Sequence, residues 1–169
     1  KVATLMVTHD YDEAMFMSDR ILVMGPTGEI VQEGSPNEVY NLPDHPFVAS
    51  YFGLINRLSG VSYNELVETP LGVLPAPGCR DGCEIDIIMR PHDIEISQGS
   101  IEGVPVEILN VRPLGRDTFI RFRIKNQDSD YHELCCRYTG FFSEDLNDQT
   151  RASIQPERVF LYYRNQLIR

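Results

Sequence analysis

The sequence predicts an α+β fold, in which a short α/β segment precedes a mainly β domain. Up to about residue 56, strand-like apolar runs alternate with segments of helical periodicity. Beyond Asn56 no long helical period occurs, and short β-rich segments alternate with clusters of Gly, Pro, Asn and Asp. The type of structure therefore changes along the chain, and we place a domain boundary near Asn56.

Residues 2–8, Val-Ala-Thr-Leu-Met-Val-Thr, form a continuous β-branched and apolar run. This pattern is typical of a strand covered on both faces, as in a parallel sheet between helices. His9 and Asp10 follow, and a helical period with acidic residues at its start begins at Tyr11. We therefore predict a strand–loop–helix unit with His9 at the carboxyl end of the strand, where ligands bind in open α/β sheets.

A hairpin and two short helices are predicted next. Residues 20–24 and 29–34 indicate two strands, and the Gly-Pro-Thr-Gly sequence between them indicates a tight turn. Residues 35–38, Ser-Pro-Asn-Glu, combine a capping hydroxyl, proline at the first helical position and glutamate three residues after the cap. Pro43 ends this helix, and residues 46–53 form a second short helix closed by their final glycine.

The remainder of the chain has the pattern of a small barrel. Residues 104–108 and 119–125 alternate apolar with polar side chains, so each segment should turn one face to a core and the other to water. Several short strands at this spacing favour a closed or nearly closed sheet. The predicted strands are 58–63, 84–89, 94–97, 105–112, 118–125, 132–138 and 158–163.

Composition excludes several classes of protein. Twenty-five acidic residues against fifteen basic ones give a net charge of −10, which disfavours binding to a nucleic-acid backbone. No apolar run reaches the roughly 20 residues needed to span a bilayer, and residues 1–5 lack the layout of a secretion signal. We therefore expect a soluble, cytosolic protein. Four cysteines, two of them adjacent, indicate reduced thiols rather than a disulfide framework.

The first third of the chain resembles a known family. Residues 8–14 (Thr-His-Asp-Tyr-Asp-Glu-Ala), 19–24 (Asp-Arg-Ile-Leu-Val-Met), 28–40 (from Gly-Glu-Ile-Val-Gln-Glu-Gly to Val-Tyr) and 47–53 (Phe-Val-Ala-Ser-Tyr-Phe-Gly) are similar to the end of the ATPase domain of ABC importers. These motifs stand in the family's order and spacing, and the match runs from Val2 to about Arg57 without a gap. The combination is more specific than any single motif in it.

The rest of the chain resembles the regulatory extension of importer ATPases for sugars, sulfate, iron and polyamines, the transport-associated OB-type (TOBE) domain. Residues 87–94, Ile-Ile-Met-Arg-Pro-His-Asp-Ile, and 111–115, Val-Arg-Pro-Leu-Gly, carry this likeness. The family more often has Glu after the Arg-Pro pair, where this chain has His92. The resemblance implies two domains: residues 1–56, the incomplete end of a nucleotide-binding domain, and residues 57–169, an OB-like regulatory β-barrel.

The resemblance also implies a ligand and partners. In such ATPases the histidine after the strand that corresponds to residues 2–8 is a switch residue that forms a hydrogen bond with the γ-phosphate of ATP, and His9 occupies that place. ATP and Mg²⁺ are the implied cofactors of the full-length protein, with none bound tightly by these residues alone. The implied partners are a second ATPase subunit, in a homodimer formed through the barrel domain, and transmembrane permease subunits at the inner face of the cell membrane. The transported substrate stays open among iron, sulfate, polyamines and sugars, and the second domain favours iron or a polyamine.

The machinery for ATP hydrolysis is incomplete in this sequence. No Gly-x-x-x-x-Gly-Lys-Ser/Thr phosphate loop and no Leu-Ser-Gly-Gly-Gln signature occur, and no acidic strand end precedes Val2. Phosphoryl transfer depends on positioning and charge neutralisation by several groups together. We therefore expect no complete catalytic site and no ATP hydrolysis by these 169 residues alone.

Two metal-dependent alternatives use other residues. His9-Asp10 and His92-Asp93 supply the ligand types of a metal phosphohydrolase, although such a site needs several ligands that converge. Cys79 and Cys83 form half of a zinc motif that Cys135, Cys136 or His132 would have to complete. Adjacent cysteines on one strand point to opposite faces, so we predict loop and core thiols and no metal site.

A third alternative is a sensor module that binds a small ligand, such as an oxyanion, a metal or a metabolite, and regulates transport. Gly115-Arg116-Asp117 and the basic residues Arg121, Arg123 and Lys125 could bind an anion or a nucleic acid. Alternation instead makes the basic run one solvated face of a strand. Phe141 and Phe142 could form an aromatic recognition pair, and we interpret them as a turn that closes the barrel end.

Overall fold

The computed structural model describes residues 2–125, 130–143 and 149–168, which divide into two compact units. The first unit contains the residues up to Leu54 together with Asn165–Leu167. The second contains Ile55–Arg164 and Ile168. Each unit has a hydrophobic cluster of its own.

The first unit contains three short helices and one hairpin. Its elements are α1 (Tyr11–Met17), β1 (Ile21–Met24), β2 (Ile30–Gly34), α2 (Pro36–Asn41) and α3 (Pro46–Tyr51). The two strands pair in antiparallel fashion, so the predicted hairpin is confirmed. Both predicted short helices are also confirmed.

The strand predicted at residues 2–8 is not seen in the structure, where these residues have no strand conformation. Within the described parts of the chain no segment pairs with them, and a strand needs neighbours to satisfy its N–H and C=O groups. The side chains of Val2, Leu5 and Val7 are 93%, 86% and 92% exposed. Between residues 2 and 54 the structure contains one sheet, the antiparallel hairpin, so a parallel α/β arrangement is not seen there.

Local signals at the helix ends act as predicted. The Glu38 N–H donates to the Ser35 hydroxyl over 3.3 Å, and the Ser35 N–H donates to the Glu38 carboxylate over 2.8 Å. These reciprocal bonds form a capping box at the start of α2. After α3, Gly53 has a φ of 118°, a conformation that glycine adopts without steric strain.

The first core lies between the hairpin and the two short helices that follow it. Its buried members are Ile21, Val23, Val39, Val48 and Phe52. Buried Gln32 holds the connection between α2 and α3, since its amide nitrogen donates to the Leu42 carbonyl and its amide oxygen accepts from the Asp44 N–H, each over 2.9 Å. Both polar ends of this side chain are therefore satisfied.

The second unit is mainly β. Its strands are β3 (Asn56–Tyr63), β4 (Leu66–Thr69), β5 (Gly72–Pro75), β6 (Glu84–Met89), β7 (Ile94–Gln98), β8 (Val104–Pro105), β9 (Glu107–Leu114), β10 (Asp117–Lys125), β11 (Tyr131–Thr139), β12 (Thr150–Ile154) and β13 (Phe160–Tyr163). The last strand, β14 (Gln166–Ile168), has Ile168 in this unit and Gln166 and Leu167 in the first.

Most predicted strands are confirmed, with three kinds of difference. The segment predicted as one strand at 105–112 is divided into β8 and β9 at Val106, and a short 3₁₀ turn at Pro156–Arg158 delays the start of β13. The sequence analysis missed β4, β5, β12 and β14. Strands of three to five residues are too short to show an alternating pattern against the turn residues around them.

The strands form a curled sheet and two smaller ones, with the orders β14-β13-β6-β3-β4-β5, β11-β10-β9 and β7-β12-β8. β3 pairs with β6 along residues 56–61 and then with β4 at residues 62 and 63. A Cβ atom at Gly60 would lie 2.5 Å from Val67 Cγ2 and 2.9 Å from the Glu68 carbonyl oxygen. Glycine is therefore required where β4 crosses close to β3.

The core of the second unit collects the inward side chains of its sheets. The alternation predicted for β10 is confirmed, because Ile120, Phe122 and Ile124 are buried. Asn56, also buried, links two sheets: its amide nitrogen donates to the Cys135 carbonyl over 2.8 Å and its amide oxygen accepts from the Cys135 N–H over 2.7 Å. This pair of bonds imitates a strand bridge between β3 and β11.

The three helices of the described residues are six or seven residues long, and none has the length and apolar character needed to cross a membrane.

Candidate functional site

His9 lies in the loop that leads into α1, and its side chain is exposed. Asp10 caps the helix, since its Oδ1 accepts from the N–H groups of Asp12 and Glu13 over 2.9 and 3.1 Å. The Thr8 hydroxyl accepts from the Asp10 N–H over 3.0 Å and donates to the Glu13 carboxylate over 2.9 Å. These bonds order the backbone on both sides of His9 and use none of its ring nitrogens.

The imidazole of His9 makes no hydrogen bond or ion pair with any residue that the structure describes. A neutral imidazole offers one donor and one acceptor nitrogen. It can therefore contact a phosphate oxygen and a water molecule at the same time. A neutral imidazole carries no positive charge, so the binding of a polyphosphate would need further groups beside it.

The second His-Asp pair, His92-Asp93, lies in the turn between β6 and β7, where its carboxylate is held by neighbouring groups. Asp93 is buried and accepts from the Arg90 N–H over 3.2 Å. Its Oδ1 lies 3.7 Å from Nη1 of Arg158 and 3.6 Å from Nε2 of His92. Basic groups and the backbone therefore surround this carboxylate and hold the turn between β6 and β7. The two His-Asp pairs belong to different units.

Cys79 and Cys83 end two consecutive turns of similar construction. In each turn the cysteine follows a glycine of positive φ, 75° at Gly78 and 79° at Gly82. The Cys79 N–H donates to the Ala76 carbonyl over 3.2 Å, and the Cys83 N–H donates to the Arg80 carbonyl over 3.3 Å. Burial raises the pKa of Cys79, and the nearby Cys83 and Glu65 add to this effect.

Cys135 and Cys136 point to opposite faces of β11, as predicted. Cys135 lies opposite Arg121 on the outer face, and Cys136 lies opposite Ile120 in the core. Burial raises the pKa of Cys135 and raises that of Cys136 to about 12. His132 lies opposite Ile124, and all four cysteines are free thiols. Among the described residues no three His, Cys, Asp or Glu side chains are grouped so that they could hold a metal ion.

The positive charges of the two arginines in the basic run on β10 are paired with acidic side chains on the neighbouring strands. Arg121 donates to Glu133 over 2.7 Å, and Arg123 donates to Glu107 through two bonds of 2.7 and 2.8 Å. The carboxylate of Glu107 raises the pKa of Arg123. Lys125 is exposed at the end of the strand. The sequence analysis did not find these acidic partners, because strand register decides which residues stand opposite each other.

The two phenylalanines at residues 141 and 142 differ in burial. Phe142 is buried and packs edge-to-face against Tyr138, with ring centroids 5.8 Å apart. Phe141 is 86% exposed. Phe142 therefore belongs to the core and Phe141 does not, and the turn predicted to close the barrel end stays a prediction.

Comparison with known proteins gives the chain a family. No protein-family model matches it. A sulfate/thiosulfate import ATP-binding protein CysA of Bordetella pertussis is 34% identical over 165 residues, covering 95% of this chain and 46% of the relative. The protein of the same name from Halalkalibacterium halodurans is 29% identical over 167 residues, covering 96% and 46%. That of Synechococcus elongatus is 37% identical over 126 residues, covering 74% and 33%.

The chain thus spans about half the length of the curated relatives it matches, and the likeness runs through both of its units. The relatives are named as import proteins that bind ATP, which agrees with the ordered motifs around His9 and with the β-rich second unit. The chain therefore belongs to the ATP-binding subunits of ABC importers and corresponds to a carboxy-terminal part of such a subunit.

Proposed function

We propose that the chain is part of a subunit that hydrolyses ATP to drive the uptake of sulfate or thiosulfate. The observation that carries this proposal is the similarity to sulfate/thiosulfate import ATP-binding proteins over 95% of the chain. This substrate replaces the iron or polyamine favoured by the sequence alone. Mg²⁺ would accompany ATP, because phosphoryl transfer requires its charge on the phosphates.

The first unit would complete a nucleotide-binding domain of the α/β type. The exposed apolar side chains of residues 2–7 support this role, because a stretch of this kind is stable in water only when other elements cover it. Parallel neighbours would convert residues 2–8 into the strand that their composition favours. His9 would then stand at the carboxyl end of that strand, where α/β sheets bind ligands.

His9 would contact the γ-phosphate of bound ATP. Its exposed imidazole and the ordered backbone around it support this role. One nitrogen would donate to a phosphate oxygen and the other would accept from the attacking water, so the group acts where charge develops in the transition state. The caps formed by Thr8 and Asp10 would keep the imidazole at a constant position.

The second unit would serve as an OB-like regulatory domain through which two ATPase subunits dimerise. Its curled sheet and its separate core support an independent domain of this kind. The subunit would act with transmembrane permease subunits and lie against the inner face of the cell membrane. Because the second unit has a core of its own, it could regulate ATP hydrolysis while the first unit stays folded.

The test of this function uses the full-length subunit that contains these residues. We expect His9→Ala to lower kcat for ATP hydrolysis by about 100-fold, the effect of removing one donor to a developing charge. KM for ATP should change by less than about threefold, since the other phosphate contacts stay in place. Steady-state phosphate release measures both constants.

The matched control is His92→Ala, which removes an exposed histidine of the second unit. It should leave kcat within about twofold, as expected for a surface substitution. A His9→Ala subunit with wild-type turnover would disprove the role of His9. Magnesium-dependent turnover by the 169-residue chain alone, above that of a blank preparation, would disprove the expectation that it lacks a complete site.

A further inference from the structure

The connection between β5 and β6 repeats a four-residue unit that ends in a cysteine. Residues 76–79 are Ala-Pro-Gly-Cys, and residues 80–83 are Arg-Asp-Gly-Cys. In each unit the third residue is a glycine of positive φ, and the cysteine N–H donates to the carbonyl of the first residue. This combination is typical of a type II turn. Residues 76–83 therefore form a double turn, in which Cys79 and Cys83 hold equivalent positions.

The second half of the double turn is attached to β3 through Ser62, which is buried. The Ser62 N–H donates to the Cys83 carbonyl, and the Gly82 N–H donates to the Ser62 carbonyl, each over 2.9 Å. The Ser62 hydroxyl donates to the Arg80 carbonyl over 2.5 Å. These bonds hold the backbone of Cys83 at a fixed place beside β3.

The first half is attached to the turn between β3 and β4. The Ala76 N–H donates to the Glu65 carbonyl over 2.7 Å, and the Gly78 N–H donates to the Glu65 carboxylate over 3.0 Å. Ser62 and Glu65 belong to one hairpin, because β3 pairs with β4 at residues 62 and 63. The same hairpin therefore fixes both halves of the double turn, and with them the backbones of both cysteines.

Both thiols lie on the side of the double turn that faces the core. Cys79 and Cys83 are half-buried and pack against the hydrophobic cluster of the second unit. Burial raises the pKa of Cys79, and the nearby Cys83 and Glu65 raise it further. One group shifts the pKa of another through its charge only at short range. Two thiols thus lie near each other, and their partial exposure leaves them accessible to small molecules.

The other two cysteines lack such an arrangement. A disulfide requires two Cβ atoms about 3.5–4.5 Å apart, with side chains that point toward each other. Cys135 and Cys136 are adjacent on β11 and point to opposite faces of the strand, so they cannot meet this requirement. Cys79 and Cys83 stand on one side of a short connection, where the two turns bring them together.

We propose that Cys79 and Cys83 form a reversible disulfide by exchange with a low-molecular-weight disulfide such as oxidised glutathione. The thiolate of one cysteine attacks a sulfur of the small disulfide and releases one small thiolate. The thiolate of the other cysteine then attacks the protein sulfur of the mixed disulfide and releases the second. The two cysteine protons pass to the two leaving thiolates, and the two electrons lost by the cysteines reduce the small disulfide to two thiols.

The disulfide would lock the double turn in the conformation that the β3–β4 hairpin already holds. A cross-link between residues 79 and 83 restricts the opening of this connection, because fewer open conformations remain. The second unit would thereby gain two states that follow the thiol–disulfide balance of its surroundings. This chemistry goes beyond the proposed function and needs no ATP, so it is tested separately.

The experiment equilibrates the 169-residue chain with mixtures of reduced and oxidised glutathione, starting from the reduced and from the oxidised protein. Trypsin cleaves after Arg80, so a disulfide between Cys79 and Cys83 joins two peptides that mass spectrometry otherwise finds apart. We expect the equilibrium constant for this link to be at least about tenfold larger in buffer than in concentrated urea. The folded double turn holds the thiols together, whereas the unfolded chain must close the loop at a cost in entropy.

Single variants separate the link from ordinary adducts. Cys79→Ser and Cys83→Ser should each retain a glutathione adduct on the remaining cysteine, because no second thiol is there to displace it. The matched control is Cys135→Ser, which removes another half-buried thiol, on β11. It should leave the equilibrium constant for the link within about twofold of wild type, as expected for a distant and independent site.

Three results would overturn the proposal. The first is a wild-type chain whose Cys79 and Cys83 stay reduced, or retain separate adducts, in excess oxidised glutathione. The second is an equal equilibrium constant in buffer and in urea, which would show that the fold does not hold the pair together. The third is a link from Cys79 or Cys83 to Cys135 or Cys136 in place of the link within the double turn.

Discussion

Burial decides the chemistry of individual side chains in this protein more than residue type does. Cys135 and Cys136 are neighbours in sequence, but one stands on the outer face of β11 and the other in the core. Strand register acts in a similar way: Arg121 and Arg137 are both exposed, and Arg121 is bonded to Glu133 on the neighbouring strand. Strand alternation and register therefore decide which side chains are buried and which partners they bind.

The thiol of Cys136 should be almost inert in the folded protein. With a pKa of about 12, roughly one part in 10⁴ of it is thiolate at pH 8, whereas an unfolded cysteine of ordinary pKa is partly ionised there. We expect iodoacetamide to leave Cys136 unmodified in the native protein and to modify it in denaturant. Mass spectrometry of tryptic peptides measures this, and Cys136→Ser should show the same native adducts as wild type. Native modification at the denatured rate would contradict the prediction.

Elements whose ends carry local signals are the ones that the sequence predicts well. The capping box of α2 and the glycine after α3 depend on residues within a few positions of each other. The strand at residues 2–8 carries a strong composition but depends on neighbours, and it does not form in the described residues. Local capping is therefore a more reliable predictor of an element than apolar content.

The capping box should make α2 sensitive to acid. The N–H of Ser35, and then its hydroxyl, lower the pKa of Glu38. A carboxylate whose pKa falls on folding stabilises the protein above its ordinary pKa, and this stabilisation is lost as the pH falls through the lowered value. The stability advantage of wild type over Glu38→Gln should therefore shrink between about pH 6 and about pH 3. Urea unfolding at several pH values measures it, and a constant difference would contradict the prediction.

The Asn56 bridge should be important for holding β3 against β11. Asn56→Ala would leave the N–H and C=O of Cys135 without their protein partner in a half-buried place. We expect a loss of about 1–3 kcal/mol in the free energy of unfolding. Asn110→Ala, at an exposed position of β9, should change it by less than about 0.5 kcal/mol. Equal effects of the two substitutions in denaturant titrations would show that the bridge contributes nothing.

The whole molecule consists of two units with separate hydrophobic clusters. Ile21 belongs to the cluster of the first unit and Ile87 to that of the second. A division of this kind permits one unit to open while the other stays folded. It also means that a single free energy of unfolding does not describe the chain.

Matched substitutions should reveal this independence. Ile21→Ala and Ile87→Ala each remove the same atoms from a buried site and should each cost about 2–5 kcal/mol. We expect Ile21→Ala to accelerate amide hydrogen exchange in β1 and β2, and Ile87→Ala to accelerate it in β3 and β6. In the double variant, the free energy of exchange in each unit should equal that of the corresponding single variant within about 0.5 kcal/mol. Faster exchange in β6 caused by Ile21→Ala would show that the units unfold together.

The ATPase family was predictable from the sequence because its motifs are ordered along the chain. The residues from Thr8 to Gly53 occur in a fixed sequence and spacing, and the similarity to import ATP-binding proteins bears out that prediction. The role of His9 follows from the same motifs and stays a proposal. The proposed substrate does not follow from these motifs, because the sequence analysis left iron, sulfate, polyamines and sugars open.

By itself the sequence determined the family, the hairpin, the short helices and most strands of the second unit. Each of these depends on residues close together in the chain. Only the tertiary structure decided which residues face each other: the glutamates opposite Arg121 and Arg123, and the Asn56 bridge. The physical reason is that strand register depends on distant segments, and a shift by one residue would turn every side chain to the other face.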